Sequence, residues 1–246
     1  MKGYIYFLIS FSLIYLFSCE KKNDPIDTPE LGHDYYPLEM GKFWIYQVDS
    51  IVFDTTSVVT IDTTQSYMKE EVVDTSRDLS GNKLFHIDVY FRKDSLDSWQ
   101  LNTNYFVRIE QTRLVKTENG YAFIRLIFPL KDNESWDGNA YINENATIII
   151  KGEVIKAFIN WRYYYSELNT ADTIKNQIYK DVCTVLEADD ENLIEKRYST
   201  ASYAKGVGQI YRLQKILDTQ NTNTALPFEK RAQKGMILTQ RLLQFN

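Results

Sequence analysis

Two cysteines, two histidines and thirty-three acidic residues are the side chains of this 246-residue sequence from which chemistry could be built. A zinc centre needs clustered Cys and His, and Cys19, Cys183, His33 and His86 are too scattered to supply one. A catalytic thiol needs a histidine base, and Cys183, framed by Val182 and Val185, reads instead as a small buried hydrophobe. A Ser-His-Asp triad could use only His33 or His86, and His86, between Phe85 and Ile87, has the setting of a satisfied sheet residue. Two carboxylates about 5 to 9.5 Å apart would support glycoside hydrolysis. The sequence prefers no pair, so a hydrolase working through an acidic pair stays an alternative, and whether the protein is an enzyme stays open.

Two further stretches invite a ligand reading. Gly206-Val207-Gly208 lacks the third glycine of a dinucleotide loop and the Gly-Lys-Ser/Thr ending of a phosphate loop. Glycines placed so between strands permit a bulge or a close backbone approach. Residues 133–144 put Gly138 and Glu144 at the sixth and twelfth places of a calcium loop. Asn133, Ser135 and Ala140 are poor at the ligand places, and a solvated turn accounts better for them. No cofactor, metal centre or catalytic residue is therefore expected.

Cys19 carries chemistry of another kind. Lys2 is followed by an uncharged run of Tyr, Ile, Leu and Phe to Ser18, shorter than the roughly 20 residues of a membrane span and ended by Glu20-Lys21-Lys22. That is the pattern of a secretory signal. Leu16-Phe17-Ser18-Cys19 resembles the bacterial lipobox, which implies cleavage before Cys19 and a diacylglycerol thioether on its sulfur. Removing 18 of the 246 residues leaves 228, with Cys183 the one cysteine besides the modified Cys19. Residues 19–34, with two prolines, a glycine and many charges, read as a lipid-anchored tether, and a single domain is expected over 35–246.

From Tyr35 onward the dominant pattern is period two, in runs such as Phe43 to Val48, Leu84 to Phe91, Tyr121 to Phe128 and Gln209 to Leu217. Turn signals separate them, including Asn119-Gly120, where both residues tolerate positive φ, and the acidic run Asp189 to Asn192. The expected class is all-β, or β-rich α+β, as a curved antiparallel sheet, partly open barrel or sandwich. Few, short helices are expected, around Tyr163 to Leu168, Ser199 to Lys205, and Pro227 to Lys234 with Gly235 as the stop.

The sequence also echoes itself. YPLEMGKFW and FPLKDNESW share aromatic-Pro-Leu, a turn residue at Gly41 or Asn133, and a tryptophan seven positions after the proline. Each copy reads as a corner of a curved sheet with the indole turned inward. An alternative makes Trp44, Trp136, Tyr36 and Tyr203 ligand-facing aromatics, a stacking platform for a sugar or other flat molecule.

The blocks Tyr36-Pro37-Leu38…Gly41…Trp44-Ile45-Tyr46-Gln47-Val48-Asp49, Trp136-Asp137-Gly138-Asn139-Ala140 and Tyr203-Ala204-Lys205-Gly206-Val207-Gly208 resemble those of a widespread group of Bacteroidota outer-membrane lipoproteins. The resemblance implies a periplasmic or surface-facing domain on a lipid anchor, and it brings no catalytic residues. Four triplets, starting at Asp54, Asp62, Asp94 and Asp172, resemble the Asp-Ser/Thr-aliphatic O-glycosylation signal of that lineage, and equally mark polar strand ends.

The formal charge is −5 and no basic run exceeds a pair, which argues against a nucleic-acid partner. The combined expectation is a monomeric binding or interaction module held at the outer membrane by lipid, with a lipid, glycan or outer-membrane protein as partner. An accessory subunit of an outer-membrane complex is the alternative.

Overall fold

The computed structural model describes residues 31–58 and 60–246. Cys19, the signal segment and most of the tether lie outside the described residues. Period-two burial builds the architecture. In β1 (Phe43–Asp54) Trp44, Tyr46 and Val48 are buried on one face. Phe85, Ile87 and Val89 do the same in β3 (Lys83–Arg92). Each such strand must lay that face against others, and a sheet curled on itself does so without a second layer.

The remaining strands are β2 (Ile61–Arg77), β4 (Gln100–Ile109), β5 (Arg113–Glu118), β6 (Tyr121–Ile127), β7 (Ser135–Trp136), β8 (Thr147–Ile150), β9 (Glu153–Lys156), β10 (Tyr163–Ile174), β11 (Gln177–Glu191), β12 (Glu195–Ala204), β13 (Gly208–Asp218) and β14 (Lys234–Phe245). Among the described residues twelve of them form one antiparallel sheet in the order β6-β5-β4-β3-β2-β1-β14-β13-β12-β11-β10-β7. Apart from β7, which pairs with β10, and the separate hairpin β8–β9, every strand lies beside a sequence neighbour. β1 pairs with β14 along almost their whole length, so the barrel is open only between β6 and β7. The fold is an all-β, nearly closed antiparallel barrel.

That remaining gap is stitched rather than laddered. The Ile124 amide donates to the Gly138 carbonyl at 2.8 Å, and the Trp136 indole donates to the Ile124 carbonyl at 2.8 Å. The Tyr165 hydroxyl donates to the Ile127 carbonyl at 2.6 Å and accepts the Ile127 amide at 3.0 Å. Edge groups of β6 that a missing strand would have paired are thereby satisfied.

Both corners of the internal echo have the expected geometry. Gly41 (φ 77°) and Asn133 (φ 57°) take the left-handed turn conformation. Both indoles donate to a main-chain carbonyl, Trp44 to Val207 at 2.6 Å and Trp136 to Ile124. The Asn119-Gly120 hairpin has positive φ at both residues (52° and 80°), as its sequence demands.

Several expectations need correction. Tyr163 to Leu168 is strand, within β10, because Tyr163 and Tyr165 point inward and Tyr164 between them does not, a pleated rather than helical pattern. Ser199 to Ala204 belongs to β12, paired on both sides by β11 and β13. Around Pro227 the helix is a single turn, α1 (Phe228–Arg231), with Pro227 at its N-cap, and Gly235 lies within β14. The turn lies on the outside of the barrel, burying Phe228 against Phe53 and Leu217 in a small second core. Asp189, Asp190 and Glu191 extend β11 instead of forming a turn. Ahead of β1, His33 stands edge-on to Phe128 at 4.5 Å and donates from Nε2 to the Gln111 carbonyl at 3.2 Å.

Candidate functional site

The barrel has one filled end and one hollow end. At the start of β1 and the β12–β13 turn, Tyr36 lies 5.9 Å from Trp44 and 6.1 Å from Tyr203, ring centre to ring centre, and all three are buried. Gly208 approaches the Trp44 indole so closely that a Cβ there would sit 2.9 Å from its nitrogen. The glycine pair thus serves close approach, and three of the four candidate aromatics plug this end. Trp136, the fourth, closes the gap beside β6. None of the four lines the cavity described next, so the stacking platform has no support in their placement.

At the opposite end, which carries the β3–β4, β5–β6 and β13–β14 connections, the interior opens into a cavity of about 390 Å³. Its walls mix apolar side chains, from Met68, Phe91, Phe158, Leu238 and the Ile148–Ile150 strand of the separate hairpin, with polar ones that include Asn102, Asn104, Asn119 and Gln240. Its floor is charged. Glu70, Lys116, Glu118, Arg125 and Arg212 line it, with Glu187 beneath.

Those six groups form an alternating chain across the barrel. Glu70 lies 3.5 Å from Lys116, and Lys116 3.0 Å from Glu118. Glu118 makes a short contact with Arg125, which reaches Glu187 at 2.9 Å, and Glu187 meets Arg212 at 2.8 Å. Glu187 is fully buried and also accepts from the Ser199 hydroxyl at 2.6 Å. Three cations match three carboxylates, and each buried charge has an opposite neighbour, the condition under which burying them is tolerable. Because Arg125 is on β6 and Glu187 on β11, the chain also bridges the gap between the sheet's two ends.

Electrostatics follow from this placement. Burial by itself would raise the Glu118 carboxyl, but Lys116 and Arg125 outweigh it and hold it well below the ordinary carboxylate range. Burial also opposes ionisation of Glu187, and Arg212 and Arg125 reverse that in the same way. Lys116 is held charged above its usual range by Glu118 and Glu70 despite its own burial. A glycosidase acid must keep a proton near neutral pH, and Glu118 and Glu187 are arranged to lose theirs. Burial pushes the Tyr105 phenol, at the cavity wall, and the Tyr36 phenol behind it upward, so both stay neutral.

Elsewhere, Cys183 is fully buried and its thiol is pushed up by burial. His86 contacts Ser76 Oγ at 2.6 Å and Phe106 edge-on, as a sheet residue. Among the described residues no three His, Cys, Asp or Glu side chains gather as a metal centre. Thr55, Thr63, Ser95 and Thr173 of the four Asp-Ser/Thr triplets are exposed, at strand ends and turns except for Thr63 within β2.

No family model and no curated protein sequence matches the chain. Among solved structures, a protein from Parabacteroides distasonis provisionally described as a lipoprotein is similar at 13% identity and a TM-score of 0.36, over 86% of this chain and 98% of that one. So loose a likeness carries no argument here.

Proposed function

We propose that the protein is a lipid-anchored binding module of the cell envelope, attached to the outer membrane through Cys19, whose barrel mouth accepts a small amphiphile. One observation carries the binding role: a cavity of about 390 Å³ with partly apolar walls over a charged floor, at the end opposite the aromatic plug. Volumes of roughly 300–1,000 Å³, mostly apolar with a few convergent polar groups, are typical of small-molecule sites. A structural subunit without a ligand would gain stability from filling that space, since unfilled volume costs packing energy. The Leu16-Phe17-Ser18-Cys19 junction supports the anchor.

Titration with an apolar dye that fluoresces on desolvation tests the binding role. Saturable binding is expected, lost in Leu238→Trp, which fills the cavity from β14. A dye response absent from the parent chain, or unchanged in the filled variant, overturns it. For the anchor, Cys19→Ala expressed in the native host should abolish palmitate labelling and leave an uncleaved precursor; labelling that persists refutes attachment at Cys19.

A further inference from the structure

Resting on the binding role just proposed, we infer that the cavity selects an amphiphile whose head carries both a primary ammonium and an anionic group. The argument starts from which members of the charged chain still have unused hydrogen-bonding capacity. Lys116, Glu118 and Arg125 each contact two opposite charges. Lys116 and Glu118 are paired on both sides, and Arg125 uses both terminal nitrogens within the protein, with only its buried Nε left without a partner. The two ends are less fully paired. Glu70 is 5% exposed, yet its carboxylate has a single partner, Lys116 at 3.5 Å, which is the limit of a hydrogen bond. At the other end, Arg212 is 7% exposed and pairs through Nη2 alone, with Glu187, leaving its other N–H groups for a guest. Both ends line the cavity, and Glu187 lies behind it.

A guest therefore meets an acceptor in want of donors on β2 and a guanidinium in want of acceptors on β13. The six charges cancel, three against three, so a head with net charge would add an uncompensated charge to a site withdrawn from water. An anion alone would satisfy Arg212 and face Glu70 and Glu118; a cation alone would satisfy Glu70 and face Arg212 and Lys116. A head with both charges answers both ends at no net cost. Glu70 can accept N–H bonds, which a quaternary ammonium cannot give, and the Tyr105 ring that could have held such a group is already covered by Lys116 at 4.0 Å. Phosphoethanolamine and α-amino acid heads both fit this description. An alkyl tail would run along Met68, Phe158 and Leu238 toward the β8–β9 hairpin.

The test is a calorimetric series on the mature chain at fixed tail length, below micelle-forming concentrations. The probes are lauroyl lysophosphatidylethanolamine, lauroyl lysophosphatidylcholine, lauroyl lysophosphatidic acid, dodecylammonium and 2-aminotetradecanoate. The ethanolamine lipid or the amino acid should bind at least tenfold more tightly than the other three, and which of the two leads identifies the source of the head. In Glu70→Gln, with unchanged thermal unfolding as the control for folding, that preference should collapse to within about twofold while lysophosphatidic acid gains. Equal or tighter binding of lysophosphatidic acid, lysophosphatidylcholine or dodecylammonium to the parent chain overturns the inference and leaves the binding role standing. Failure of all five overturns both.

Discussion

One phenol stands in for a strand: the Tyr165 hydroxyl donates to the Ile127 carbonyl at 2.6 Å and accepts the Ile127 amide at 3.0 Å. Tyr165 is 1% exposed, and Ile127 lies in β6, one edge of the gap. Removing the hydroxyl leaves both main-chain groups without their partner, and each such orphan costs about 1–3 kcal/mol when water cannot replace the bond. Tyr165→Phe keeps the ring in the core, so its effect isolates the stitch. We expect a loss of about 2–6 kcal/mol in urea unfolding, with faster hydrogen exchange at Ile127 and little change at amides of the β1–β14 pair. Uniform acceleration throughout the barrel would show that the stitch is not local.

The two glycines of Gly206-Val207-Gly208 should respond differently to the same change. Both have positive φ, 74° and 111°, so alanine is strained at either by roughly 1–2 kcal/mol. Only at Gly208 would the new Cβ also meet the Trp44 indole; around Gly206 nothing lies within 4 Å. Overpacking a buried contact adds about 1–3 kcal/mol. Gly208→Ala should therefore cost roughly 2–5 kcal/mol and quench or shift Trp44 fluorescence, while Gly206→Ala costs about 1–2 and leaves the emission unchanged. Equal losses would remove the plug from the role assigned to it.

Acid should unfold the barrel through its interior carboxylates. The Glu118 and Glu187 carboxyls titrate below the ordinary value of 4.5 because nearby cations outweigh the effect of burial. In the unfolded chain they take up protons near that ordinary value; in the barrel they resist until lower pH. The stability they contribute is thus complete above about pH 4.5 and is lost as pH falls from there through the lowered native values. Urea midpoints measured down to pH 3 should be level near neutrality and decline below about 4.5. Glu187→Gln keeps an acceptor for Ser199 but leaves Arg125 and Arg212 short of a counter-charge, a loss of roughly 3–5 kcal/mol at neutral pH. That loss should shrink in acid, and a constant difference at every pH would assign the midpoints to other groups.

The fold was far more legible in the sequence than this charged floor. Alternation in Phe43 to Val48 and Leu84 to Phe91 announces strands because one face of each is buried. Gln100 to Asn104 and Ser166 to Thr173 lack that signal, because most of these residues are exposed on both faces and held mainly by ladder hydrogen bonds. The floor draws Glu70, Lys116, Arg125, Glu187 and Arg212 from five strands. No spacing rule joins residues so distant along the chain. A weaker sign was present: Arg125 in Phe123-Ile124-Arg125-Leu126-Ile127 and Glu187 in Val185-Leu186-Glu187-Ala188 are lone charges in apolar frames. Charges in that setting are buried only with partners. The aromatic candidates drew attention by size, and size is why Tyr36, Trp44 and Tyr203 fill the closed end.

The hairpin β8–β9 forms its own two-stranded sheet at the rim of the cavity, so its attachment depends on side chains. Besides hydrogen bonds to its main chain, from the Tyr121 hydroxyl to the Thr147 carbonyl at 3.0 Å and from Arg197 to the Lys156 carbonyl at 2.8 Å, two kinds of side-chain contact are available. Lys151 lies 3.4 Å from Asp62 and Glu153 2.6 Å from Lys234, all of them at least partly exposed. Ile155 is 1% exposed and Ile150 9%, facing the core, while Ile149 and Val154 face outward. Exposed ion pairs contribute about 0–1 kcal/mol each, whereas cutting a buried isoleucine to alanine costs about 2–5. Magnitude decides for the isoleucines. In hydrogen exchange, Ile155→Ala should accelerate the amides of residues 147–156 more than tenfold. Asp62→Asn and Glu153→Gln together should change them by less than that and more so at low salt, where exposed charges are least screened. Were the paired charge variants to free the hairpin as fully as Ile155→Ala does, the rim of the cavity would be held by ionic latches, and its opening would follow salt concentration rather than packing.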